Sequence, residues 1–259
     1  MNPSPTSNPY RISNPSPWSD DNLAVLNRHA HFRVRGEATT RLETFVDAAF
    51  AFALTMLVIS VDDVPRSYDE FTDALRTIPA FIASFFQVVM FWLGHRNWSQ
   101  RYGLEDRVAI TLSLILVCGI LVIVFPLRVV FGAAFGYFSD GLLPYPFPVE
   151  WAQMRQVFVI YGSGFCVMCS LIALLYMHAL CRKKWLNLDA AEILVTRSKI
   201  VFWLIPAGAG LGGLLMALLV SEELIILAGL IYCLLFILLP AHAVIERRYL
   251  RKLDQTAGV

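Results

Sequence analysis

Six apolar stretches, each long enough to cross a bilayer, constrain this chain more than any other feature. They fall near residues 42–61, 77–95, 108–126, 156–181, 199–220 and 223–245. A hydrocarbon layer offers no water to backbone N–H and C=O groups, so a crossing segment must satisfy them internally. An α-helix of about 20 apolar residues does so. Composition agrees: 57% of the residues are hydrophobic and 16% are charged, against about 25% charged in an ordinary soluble domain. The expectation is an all-α integral membrane domain with six transmembrane helices over residues 36–248. A tail precedes it at 1–35 and another follows at 249–259.

The basic residues are distributed unevenly. Seventeen of the 21 Lys and Arg lie before the first span, in the second–third and fourth–fifth connections, or after the sixth span. Arg66, Arg76, Arg128 and Arg155 fall on the opposite side, together with Asp62, Asp63, Asp69, Glu70, Asp73, Glu222 and Glu223. The positive-inside rule then puts both termini in the cytoplasm and requires an even number of spans. Six spans meet that requirement, and a multi-pass protein of the plasma membrane is expected. A net charge of +1 carries no nucleic-acid footprint. The first 35 residues are rich in Asn, Ser, Pro and Arg and lack the apolar core of a secretory signal, so they are expected to be a disordered cytoplasmic tail holding solvated His29 and His31.

Chemistry-bearing patterns are scarce. Cys118, Cys166, Cys169, Cys181 and Cys233 all lie in or at the ends of apolar spans. The Cys166-x-x-Cys169 pair has no second ligand pair, so the five read as small packed hydrophobes, and no metal site or cofactor is expected. No nucleophile–base, zinc-peptidase or nucleotide-loop pattern is present, which argues against an enzyme. Gln87 is a candidate interhelical hydrogen bond. The Gly208–Gly213 run allows either close helix contact or a flexible backbone. Phe125-Pro126-Leu127 reads as the end of the third span, with an aromatic outer loop beyond it.

The first span carries the most informative residues. Arg41, Glu43 and Asp47 sit at the mouth of a segment otherwise apolar, and a charge there marks a functional site or an anchor. Ala48, Phe52, Thr55 and Ile59 share one face at helical spacing, with Asp62 and Asp63 beyond its outer end. A row with one hydroxyl and an acidic mouth suits the wall of a cation pore. It equally suits a lipid-facing or packed helix whose Thr55 bonds back to its own backbone. Asp47 and His95 lie at matching depth on antiparallel spans, so they are expected to share a hydrogen bond. Trp92 donates from the same turn, and Arg41 closes the cluster from the water side. The cluster reads as a helix clamp or as a coupling of helix position to gating.

These residues resemble a known family. Arg41-x-x-x-Phe45-Val46-Asp47, followed by Ala51, Thr55 and Leu57, is similar to the first helix of the transmembrane-protein-175 potassium channels, whose signature is Arg-x-x-x-Phe-Ser-Asp. Ser84-Phe85 and Phe91-Trp92-x-x-His95 resemble the family's second helix, and Phe125-Pro126-Leu127 the end of its third. The resemblance covers residues 41 to about 127. It implies six-helix subunits assembled as a homotetramer, with the first helix lining a central pore for K+, the permeant ion. It assigns the constriction to Phe52, with Thr55 three residues on, and a packing network to Arg41, Asp47, Trp92 and His95. Two positions depart from the pattern: Val46 replaces the signature Ser, and Phe52 replaces an aliphatic residue. The function expected is passive potassium transport. The alternatives are a secondary or proton-coupled carrier, and a non-conducting membrane scaffold.

Overall fold

The computed structural model describes residues 17–29, 31–59, 66–145, 151–221 and 225–256. Its elements are α1 (Asp20–Ala24), the two-residue strands β1 (Arg28–His29) and β2 (Phe32–Arg33), and helices α2 (Arg41–Ile59), α3 (Tyr68–Arg76), α4 (Ile78–Tyr102), α5 (Arg107–Phe138), α6 (Trp151–Cys181) and α7 (Ala190–Leu219). The chain closes with α8 (Ile226–Leu230), a 3-10 turn (Ile231–Leu234) and α9 (Leu235–Thr256). Five helical segments among the described residues are long and apolar enough to cross a membrane: 68–102, 107–138, 153–181, 190–219 and 227–252. The shorter α2 is not among them.

Local chemistry sets the helix ends. The Thr40 hydroxyl accepts from the Glu43 N–H at 3.2 Å and the Glu43 carboxylate accepts from the Thr40 N–H at 3.1 Å, a reciprocal box that starts α2. Asp189 and Glu192 form the same box on α7. Gly103, at φ 54°, closes α4, and Asp106 opens α5 by accepting from the Ala109 N–H at 2.9 Å.

Helices α2, α4, α5 and α6 enclose one core, with α7 laid along α6 and the α8–α9 segment along α7. Phe50, Leu57, Phe91, Trp98, Leu116, Ile120 and Ile172 are fully buried there. Two large side chains in that core pair their polar groups: the Trp98 indole donates to the Leu175 carbonyl at 2.8 Å, and the Tyr102 hydroxyl meets Thr196 Oγ1 at 2.7 Å. The glycine run on α7 serves close contact. A Cβ on Gly210 would stand 2.9 Å from the Cys166 backbone nitrogen, and one on Gly162 would stand 2.9 Å from the Gly210 carbonyl.

Several boundaries differ from expectation. The third span does not stop at Pro126, because α5 continues to Phe138. The part of the expected outer loop before residue 139 is therefore helical. A buried helix tolerates one missing N–H when its neighbours hold it in place. The last helix likewise runs through Pro240 to Thr256. Most of the acidic connection before the second span is itself helix, α3, capped by Ser67. The second span reaches Tyr102 rather than residue 95, its last two turns being stitched to the core by Trp98 and Tyr102.

The N-terminal tail is corrected too. From Trp18 on, it folds onto the helix ends. Arg35 is buried, its N–H donates to the Arg101 carbonyl at 3.4 Å, and the Gly36 N–H donates to the Gln100 carbonyl at 3.0 Å. Any Cβ at Gly36 would strike the Ser99 carbonyl. The rest of the expected tail, residues 1–16, lies outside the described residues.

Candidate functional site

Helix α2 has two faces. Val46, Phe50, Ala53 and Leu57 recur at helical spacing and are fully buried against α4 and α5. On the other side Ala48 and Thr55 are exposed, and the Phe52 ring is 55% exposed. The expected row is thus one continuous open face as far as Thr55. The Ile59 side chain, Asp62 and Asp63 lie outside the described residues. The Thr55 hydroxyl donates to the Ala51 carbonyl at 3.0 Å, so its proton is engaged within the helix while its lone pairs stay open.

Val46 sits where a hydroxyl was expected from the resemblance. It is completely buried among the core residues of the bundle.

The cluster at the start of α2 is only partly as expected. Trp92 Nε1 donates to Asp47 Oδ1 at 2.7 Å, tying α4 to α2. His95 does not bond Asp47. Its Nε2 meets Ser113 Oγ on α5 at 2.9 Å, and its ring packs 5.6 Å from Trp98. His95 is deep in the core, whereas Asp47 lies on the exposed side of α2, so Ser113 is the partner within reach. Arg41 is exposed and makes no ion pair among the described residues, so it does not close the cluster. Phe45, 54% exposed, lines a shallow recess with Arg41, Ile110 and Leu114. Trp92, half-buried, carries the Arg96 guanidinium 5.4 Å above its ring. Asp47 and Trp92 therefore join α2 to α4, Phe45 lies beside α5, and His95 ties α4 to α5.

Two charged clusters were not anticipated. Arg35 and Glu192 are both wholly excluded from solvent and pair in fork geometry, with Nη1–Oε1 and Nη2–Oε2 both at 2.9 Å. Glu192 also accepts from the Arg33 N–H at 2.9 Å and the Asp189 N–H at 3.1 Å. The available signal was the Asp189-x-x-Glu192 spacing ahead of an apolar run, a capping box whose carboxylate had charge to spare. The second cluster joins Asp106 to His178 Nε2 at 2.8 Å and to Arg182 Nη2 at 2.9 Å. Burial opposes ionisation of the Asp106 carboxyl, but the Ala109 N–H, His178 and Arg182 outweigh it and hold its pKa below the usual value. Gln87 fulfils its expected role: its Oε1 accepts from the Tyr161 hydroxyl at 3.1 Å, joining α4 to α6. No cluster of three or more metal-ligating side chains occurs among the described residues.

Comparison with known proteins sets this geometry in context. The model of the family described as "Endosomal/lysosomal potassium channel TMEM175" matches residues 41–126. A potassium channel from Marivirga tractuosa is 29% identical over 233 residues, 86% of this chain and 92% of its own. The crystal structure of the potassium channel MtTMEM175, as a T38A variant bound to a nanobody–MBP fusion, superposes with a TM-score of 0.72 at 27% identity. It covers 86% of this chain and 99% of that one. A TMEM175 homologue from Chamaesiphon minutus, described as a lysosomal potassium-selective channel, shares the fold at a TM-score of 0.50 and 20% identity, over 80% of this chain and 96% of that one. The matched stretch holds α2, α4 and the first part of α5, the helices that carry the open face, so over that stretch the chain is similar to the TMEM175 family, and as a whole it shares the fold of MtTMEM175.

Proposed function

We propose that this chain is one subunit of a homotetrameric potassium channel of the plasma membrane, with α2 from each subunit lining the pore. The observation that carries the reading is the split of α2 into a sealed face and an open one. A single α2 cannot enclose a path, so an open row of Ala48, Phe52 and Thr55 becomes a pore wall only when copies of it face one another. Similarity to channels that conduct potassium supplies the ion. Transport is passive, six helices including α2 cross the membrane, and both termini are cytoplasmic. No cofactor takes part, and K+ is the permeant ion. Asp62 and Asp63 concentrate cations at the outer mouth.

Phe52 forms the constriction. Its ring stands on the open face five residues after Asp47. Four phenyl rings at one level form an apolar neck that closes by expelling water, and their faces attract a cation that enters. The Asp47–Trp92 bond and the His95–Ser113 bond hold α2, α4 and α5 in register behind that neck.

Flux of potassium into liposomes containing the purified protein tests the proposal. Wild type passes potassium down its gradient without a coupled ion, and Phe52→Ala raises flux or loosens selectivity. Flux that requires a proton gradient identifies a carrier instead. No flux from wild type or Phe52→Ala identifies a non-conducting scaffold. Fourfold particle symmetry with α2 on the axis is expected, and α2 facing lipid overturns the reading.

A further inference from the structure

Between α4 and α7 lies a recess of about 360 Å³ that is apolar along one part and cationic at one end. Phe86, Met90 and Leu93 form part of its apolar wall; Asn97, Arg101 and Lys199 stand toward the ends of the helices where the N-terminal segment docks. The Arg101 guanidinium makes no hydrogen bond or ion pair among the described residues, and its Nη1 is shut away from solvent. It stacks 5.3 Å over the Phe32 ring. Lys199 pairs with Glu246 at 3.3 Å and lies 5.5 Å over the Phe202 ring. Two cations and one carboxylate leave one positive charge uncompensated. A guanidinium nitrogen shut from solvent without an acceptor is costly, and an anion that enters removes the cost.

We infer that this recess binds one anionic phospholipid of the cytoplasmic leaflet, its phosphate between Arg101 and Lys199 and an acyl chain along Phe86, Met90 and Leu93. The charge left over matches one phosphodiester. The apolar wall continues from that charge into the span, as a lipid does from headgroup to tail, whereas a free anion would have no use for it. Basic pockets between transmembrane helices at the cytoplasmic face take lipid headgroups for the same electrostatic reason. Because Phe32 on the N-terminal segment backs Arg101, the bound lipid also fastens that segment to the bundle. The inference is independent of conduction: a chain that passes no ions still binds the lipid.

The test uses the full chain in mixed micelles of detergent with phosphatidylglycerol or phosphatidylcholine, read by thermal unfolding and by native mass spectrometry. Phosphatidylglycerol should raise the midpoint by several degrees over phosphatidylcholine, and one phosphatidylglycerol per subunit should survive delipidation. Arg101→Gln combined with Lys199→Gln should abolish both effects, each measured against that variant's own phosphatidylcholine baseline. Leu93→Trp fills the apolar part, keeps both charges, and should weaken binding about tenfold. The inference is overturned if the two lipids act alike, if the double variant retains its lipid, or if Leu93→Trp binds normally. It is equally overturned if inorganic phosphate in neutral micelles gives the whole shift, or if the intact oligomer retains no lipid because a second copy fills the recess.

Discussion

Arg35→Met is expected to destabilise the protein by about 3 kcal/mol. The figure follows from what the guanidinium leaves behind. Both partners of the Arg35–Glu192 pair are at 0% side-chain exposure, and breaking a buried pair by removing one member costs roughly 3–5 kcal/mol because the other charge stays buried. Glu192 keeps the Arg33 and Asp189 N–H groups, and Arg33 Nη1 at 3.5 Å, which argues for the lower end. Against that, the Leu186 carbonyl, now accepting from Arg35 Nε at 3.0 Å, loses its donor. At roughly 2–4 °C per kcal/mol for a chain of this size, the midpoint in detergent should fall by about 6–12 °C. A double-mutant cycle with Glu192→Met separates the pair from its surroundings, and the double variant should lose less than the sum of the singles by about 1 kcal/mol or more. A fall of less than about 1 °C for Arg35→Met, or strict additivity, would show that the N-terminal segment is not anchored through this pair.

Three further outcomes are expected. Gly210→Ala should cost about 1–3 kcal/mol because its Cβ meets Cys166 backbone, which cannot turn aside. Gly208→Ala, two residues away with nothing within 4 Å, should be neutral or stabilising by up to about 1 kcal/mol; equal effects in thermal unfolding would contradict the close-contact account. Asp106 has its pKa held below the ordinary 3.8, so it supplies stability that is complete above that value and lost as pH falls through the lower, folded-state value. Asp106→Asn should therefore lower stability at pH 7 and flatten its decline below about pH 4, and a parallel decline in both proteins would count against it. Trp92→Phe keeps an aromatic ring but leaves Asp47 Oδ1 without its 2.7 Å donor, so a loss of about 1 kcal/mol is expected, and an unchanged midpoint would remove the Asp47 clamp from the account.

The parts of the molecule legible in the chain were those written in nearest-neighbour chemistry. Apolar runs of membrane length identify helices wherever they occur, so five of the expected spans reappear as long apolar helices. The row Ala48–Phe52–Thr55 was readable because helical spacing alone puts those residues on one side. Depth along antiparallel spans also brought Asp47 to Trp92. It did not choose a partner for His95, because depth says nothing about rotation around the helix axis. That rotation points His95 into the core toward Ser113 and away from Asp47. Prolines misled for a related reason. Pro126 and Pro240 each remove one backbone donor, but α5 and α9 both continue through them, because one lost hydrogen bond does not end a long apolar helix whose other backbone groups stay paired.

Membrane residence, helical class and the two-faced character of α2 thus come from the order of residues alone, since each depends on hydrophobicity and on a repeat within one segment. The docking of Trp18–Gly36 onto the bundle does not. Its composition is that of a solvated tail, and it is ordered by Glu192 and by the backbone ends of α4, which approach it only once α4, α6 and α7 are packed. Burial of a charge pair is a property of the assembled bundle, where exclusion of water from Arg35 and Glu192 together turns two costly ions into a mutual anchor.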